Sequence, residues 1–191
     1  RSVVVWSVAL TGAGPAGMFA RRFNALGAPL GPVFRVSQWE GHDLAPWAIV
    51  ASGPNAASPH HEAGDRVIGA GETIVVDFGG RNHGYWSDTT RTFHTGEPSP
   101  QVTEAFAVLE AAQAAGRAAV APGVPAEEVD RATRTVIADA GYGDRFIHRT
   151  GHGIGLEVHE HPYIVEGNDM LLEPGMAFSI EPGIYHPGLF G

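Results

Sequence analysis

The chain has 191 residues, 43% hydrophobic, with a formal charge of −9. That composition suits one compact domain or a slice of a larger one, and it argues against a disordered polymer or a phosphate-binding surface. Cysteine is absent and every one of the 12 basic residues is Arg, which excludes disulfide scaffolds, thiolate sites and lysine Schiff-base chemistry, whereas ten His among so many acids supply a ligand set for divalent metal.

Residues 1–46 are rich in Gly and Pro, carry only Glu40 and Asp43 as acids, and show no long helical periodicity. They are read as an atypical N-terminal segment, and residues 47–191 as a separate domain. Val3–Leu10 behind Arg1 has the look of a signal-peptide core, a reading set aside because the sequence starts at Arg and reads as a fragment. Gly12, Gly14 and Gly17 fit the G-x-G-x-x-G dinucleotide fingerprint. The fingerprint also needs a second strand ending in an acid about 20 residues on, and the first acid here is Glu40.

From Trp47 the pattern sharpens. Ala48–Ala51 reads as a short strand and Ser52–Asn55 as a turn. Glu72–Gly79, with Ile74, Val75 and Val76 inside it, predicts a strand, as does Asp88–Thr95. Ser99-Pro100 caps a helix that runs to about Val120, with Phe106, Leu109, Ala112, Gln113 and Gly116 on one face. A second helix starts near Pro125, places Glu127 and Glu128 at its positive end, repeats apolar residues at Val129, Ala132, Val136, Ile137 and Ala140, and stops at Gly141. A last strand is expected over Met176–Glu181. Strands, then helices, then strands make the fold class α+β.

Four segments carry chemistry. If the chain between Asp77 and Asp88 is a hairpin turning at Asn82-His83, partner numbers sum to 165 and the two aspartates face each other. Opposed side chains in such a pair lie roughly 4.5–5.5 Å apart at Cβ. Two carboxylates there share a proton or a cation; the other reading is two unrelated turn or cap aspartates. His148–Pro162 holds four His with Gly151, Gly153 and Gly155, which let backbone pass close to something. From Leu156 its residues alternate, with Glu157 and His159 on one face; a surface cluster is the alternative. Glu181 is the only charge in Gly175–Gly191 and ends an apolar strand, where it is either partnered or solvated. Ser58-Pro59-His60-His61 says little by itself.

Together, and in this order, the segments resemble the pita-bread (creatinase/aminopeptidase-like) metallopeptidases of the Xaa-Pro aminopeptidase and prolidase (Xaa-Pro dipeptidase) branch. The matching stretches are Ile49–Asn55 with Pro59-His60-His61, Val76–Gly79 with Ser87–Thr92, the His148–Glu160 run, and Ile180–Tyr185. The resemblance implies that Asp77 binds one divalent ion and Asp88 bridges two. It places His152 and Glu181 on the second ion, with Glu181 also the general base. His60, His148 and His159 would hold substrate and stabilise the intermediate. The expected cofactor is two divalent ions, Mn²⁺ first, with Co²⁺, Zn²⁺ or Fe²⁺ as alternatives. The expected activity is attack of hydroxide, made from water on the paired ions, on the bond before proline in dipeptides or peptide N-termini. The expected partner is a peptide with proline second, not nucleic acid or membrane, for a cytoplasmic protein that is a homodimer at full length. The family's fifth ligand, a Glu in a Val-Arg-Xaa-Glu segment, would begin where this chain ends, at Gly191, so the 191-residue chain is expected to bind metal weakly and to cleave little or nothing. The alternatives are a non-catalytic binding member of the fold or a metal-free creatinase-like hydrolase.

Overall fold

The computed structural model describes residues 2–8, 17–23, 34–35, 47–62 and 64–191, with backbone alone before residue 47. The chain divides into two compact units, Arg1–Ser99 with Pro187–Gly191, and Pro100–His186.

The first unit is built from antiparallel sheets. β1 (Ser2–Val8) and β2 (Gly17–Phe23) pair from Ser2↔Phe23 to Val8↔Gly17, and β3 (Phe34–Arg35) lies beside β2. Residues 12–16 of the glycine fingerprint lie outside the described residues. Gly17 opens a strand antiparallel to β1, whereas a dinucleotide site needs the glycines to open a helix between parallel strands.

A second sheet runs β4 (Trp47–Ser52), β5 (Thr73–Asn82), β6 (Tyr85–His94). The segment predicted as a turn after β4 is a 3-10 turn over Gly53–Ala57. The inner strand β5 buries Thr73, Ile74 and Val76, while the β-branched run of β6 is half-exposed, as suits an edge. The β5–β6 loop is His83-Gly84, with φ of 51° and 85°. Both central residues of a tight type I′ hairpin loop need positive φ, which Gly supplies freely at the second position. The hairpin therefore turns one position later than the sequence predicts, and partner numbers sum to 167: Asp77 faces Thr90 and Asp88 faces Gly79.

The second unit pairs α1 (Pro100–Ala119) with α2 (Ala126–Asp139), followed by a 3-10 turn over Gly143–Arg145 and a two-stranded sheet of β7 (Gly151–Gly153) and β8 (Glu160–Ile164). Its core joins Ala126 and Val129 of α2 to Ile164 and Leu172, with Phe178 and Ile180 packed against them. On α1 the buried line is Ala105, Ala112 and Gly116; Phe106, expected on that face, is 41% exposed, and Gln113 reaches across to donate to the Ile180 carbonyl at 3.2 Å. On α2 the buried line is Ala126, Val129, Asp130, Thr133 and Ile137, so two polar residues occupy positions that apolar periodicity passes over. Gly141, at φ 85°, follows the end of α2 as expected.

Two expected strand readings differ. Residues 155–159 bend rather than alternate, and Leu156 is 63% exposed. Met176–Glu181 is extended and runs antiparallel to 150–154, with N–H···O bonds from Ile154 to Ala177 (3.0 Å), Ser179 to His152 (2.8 Å) and Glu181 to Thr150 (2.8 Å). It forms only an isolated bridge, Gly153↔Phe178. The reciprocal bond is diverted at Ser179, where the His152 N–H donates to the side-chain hydroxyl at 3.0 Å instead of to the backbone. No helix among the described residues is long and apolar enough to cross a membrane.

Candidate metal centre

In the first unit, Asp77 and Asp88 project from the same face of the β5–β6 hairpin. Asp77 and Thr90 are directly opposed, Asp88 lies two residues before Thr90, and side chains two apart on a strand share a face. The aspartates are thus diagonal neighbours rather than the opposed pair that the sequence suggests, a spacing of about 7–8 Å or somewhat less at Cβ. Thr90 Oγ1 donates to Asp77 Oδ1 at 2.8 Å, which orients that carboxylate. Gly79, opposite Asp88, offers no side chain to crowd it. His60 is exposed, on a turn that follows the 3-10 segment after β4.

In the second unit, three of the predicted residues converge. His152, 2% exposed, sits on β7 with Nε2 at 3.0 Å from Glu181 Oε1. The His159 ring stands edge-on to the His152 ring, centroids 4.2 Å apart. The approach of the Met176–Glu181 segment requires glycine at 151, since a Cβ there would collide with the Ser179 carbonyl oxygen. Ser179 Oγ, besides accepting from the His152 N–H, lies 3.0 Å from Glu181 Oε1 and donates to it. The sequence reading gave Ser179 no role, although two residues before Glu181 on an extended chain is the same face, a signal present in the pattern.

The donor chemistry of His152 fits a cation. Its Nδ1 faces the Gly153 carbonyl oxygen at 3.0 Å while Nε2 faces the Glu181 carboxylate. Both neighbours are acceptors, and a neutral imidazole has one N–H. With Nδ1–H donating to the carbonyl, Nε2 keeps a lone pair directed to the side of the carboxylate, where a cation can be shared by the two. This arrangement is that of metal-ligating histidines, whose other nitrogen donates to a carbonyl or carboxylate.

His148 stands apart from that contact. Its Nδ1 lies 2.7 Å from the Arg149 carbonyl oxygen and its Nε2 2.9 Å from the Tyr185 hydroxyl. With Nδ1–H donating, Nε2 accepts from the tyrosine, which describes a neutral ring. Burial pushes its pKa below the ordinary 6.5, reinforced by the Arg134 and Arg149 charges and opposed by the Arg149 carbonyl and by Glu181. The sequence pattern alone points to no task for Tyr185, which lies four residues after Glu181.

Residues 28–191 match the profile of metallopeptidase family M24. The Mycobacterium tuberculosis protein named "Probable dipeptidase PepE" is 56% identical over 153 residues, 80% of this chain and 41% of that protein. The Xaa-Pro dipeptidase of Lactobacillus delbrueckii subsp. lactis is 50% identical over 143 residues, 75% of this chain and 39% of that one. The crystal structure of dipeptidase PepE from Mycobacterium ulcerans superposes with a TM-score of 0.75 at 56% identity, covering 78% of this chain and 40% of that one. This chain spans about two fifths of the length of the curated relatives it matches. With its α+β, pita-bread architecture and its matched residues, the chain belongs to metallopeptidase family M24.

Proposed function

We propose that the protein is a divalent-metal-dependent peptidase that cuts the bond preceding proline, with Asp77, Asp88, His152 and Glu181 as its ion ligands. The observation that carries this reading is the buried His152 Nε2 facing Glu181 Oε1 at 3.0 Å while Nδ1 is already committed to a carbonyl. A relative named Xaa-Pro dipeptidase supports the choice of substrate. Three carboxylates and one imidazole form an oxygen-rich set that suits Mn²⁺, with Co²⁺, Zn²⁺ or Fe²⁺ as alternatives. When bound, paired ions supply Lewis-acid polarisation and an acidified water.

The chain's own residues do the rest. Glu181 takes the proton of the attacking water, its carboxylate oriented by the Ser179 hydroxyl. His159, beside His152, is assigned to opposing charge that develops on the carbonyl oxygen, and neutral His148, with Tyr185 on its Nε2, to lining the substrate site. His60 is assigned to substrate contact. The Xaa-Pro bond is a tertiary amide without an N–H, so selection rests on the shape of the proline ring.

The test is dipeptide hydrolysis by the Mn²⁺-loaded protein that carries these residues. Cleavage of Leu-Pro in preference to Leu-Ala is expected, and Glu181→Gln should cost roughly 10²–10⁴-fold in turnover. Equal cleavage of both dipeptides overturns the substrate. Turnover that survives both chelation and Glu181→Gln overturns the metal reading.

A further inference from the structure

Helix α2 carries a buried charge that this chemistry leaves unused. Asp130 is 0% exposed. Its Oδ1 accepts from Thr150 Oγ1 at 2.6 Å, from the Thr150 backbone N–H at 3.3 Å and from Arg134 Nη2 at 3.0 Å, and its Oδ2 accepts from Arg134 Nε at 3.1 Å. Arg134 continues outward. Nη1 donates to the Phe146 carbonyl at 3.1 Å and Nη2 to the His148 carbonyl at 2.9 Å, while the guanidinium lies 4.1 Å from the Phe146 ring centroid.

An ion pair of this kind is weak evidence for stability, because apolar residues of similar volume often serve as well. What it supplies is placement. Residues 146–150 have no regular secondary structure between the 3-10 turn and β7, yet three of their backbone points, Phe146 O, His148 O and Thr150 N, are tied to two side chains one helical turn apart. That segment carries His148 and runs directly into His152.

We propose that Asp130, Arg134 and Thr150 form a positioning clamp that sets the His148 and His152 imidazoles for their roles. The inference rests on the ligand reading of His152 given above. The fork of the guanidinium is essential to it, since a lysine matches the charge of Asp130 but cannot reach the carboxylate and two carbonyls together.

The experiment compares Arg134→Lys and Thr150→Val with Val129→Ala, a cavity in the same helix whose side chain bonds to none of these groups. Two readouts are taken on the folded 191-residue chain: Co²⁺ titration followed by its visible absorption, and the imidazole ¹⁵N–¹H signals of His148 and His152 without metal. Arg134→Lys and Thr150→Val should weaken Co²⁺ binding about 10- to 100-fold and shift both sets of signals, whereas Val129→Ala lowers the melting temperature but leaves Co²⁺ affinity within about twofold. Wild-type affinity and signals in Arg134→Lys, or an equal Co²⁺ loss in Val129→Ala, overturn the clamp. If the wild-type chain takes up no Co²⁺, the ligand reading of His152 fails and the clamp is decided by the imidazole signals: shifts in both variants sustain it, and unchanged signals overturn it.

Discussion

His148 is held neutral by where it sits. Its pKa is below the ordinary 6.5, chiefly because burial disfavours the charged ring. As pH falls, the unfolded chain takes up this proton first. The stability that comes from the neutral ring is therefore complete above about pH 6.5 and is lost below it, down to the folded value. Urea midpoints measured between about pH 7.5 and 5.5 should fall more steeply in the wild type than in His148→Asn; equal slopes would show that the ring is not buried in this state. Legibility at this scale was uneven for a physical reason. His152 and Glu181 stand out as charged or ligating groups amid glycine and apolar neighbours. Ser179 was readable from its period-two relation to Glu181. Asp130 was not, because periodicity arguments score apolar residues, and a buried acid declares itself only through partners that are sixteen and twenty residues away, at Phe146 by way of Arg134 and at Thr150.

The elements were legible where punctuation was strong. Pro100 and Pro122-Gly123 bracket α1, and Gly141 follows α2, so both helices lie within a residue or two of expectation. The β5–β6 register differed because composition cannot say which two residues of Asn82-His83-Gly84 take the positive-φ positions. The error moved the sum of partner numbers by two, from 165 to 167, and so kept both aspartates on one face. A shift by one would have separated them. The Met176–Glu181 strand lost its regular ladder to one hydroxyl. The α1–α2 contact gives a sharp test of packing. A Cβ at Gly116 would collide with Thr133 Oγ1 and come within 3.1 Å of Ile180 Cγ2. Thr133 cannot swing away without losing its bond to the Val129 carbonyl at 2.8 Å. Gly116→Ala, helix-favouring in itself, should destabilise the chain by roughly 1–3 kcal/mol in chemical denaturation. A gain in stability would show that the helices separate easily.

For the molecule as a whole, a formal charge of −9 favours association with a cation. A ligand that binds the folded state alone adds about 2.7 kcal/mol at a hundred times its Kd, so Mn²⁺ should raise the melting temperature with the logarithm of its concentration over Kd. The most direct measurement is calorimetric titration of the 191-residue chain with Mn²⁺, alongside Asp77→Ala, Asp88→Ala, His152→Ala and Glu181→Ala, each checked for an intact fold by circular dichroism. Binding is expected in the wild type and should weaken at least about 10-fold in every variant, the lower end of what losing even a supporting partner costs. Four variants that bind Mn²⁺ as the wild type does would contradict the account.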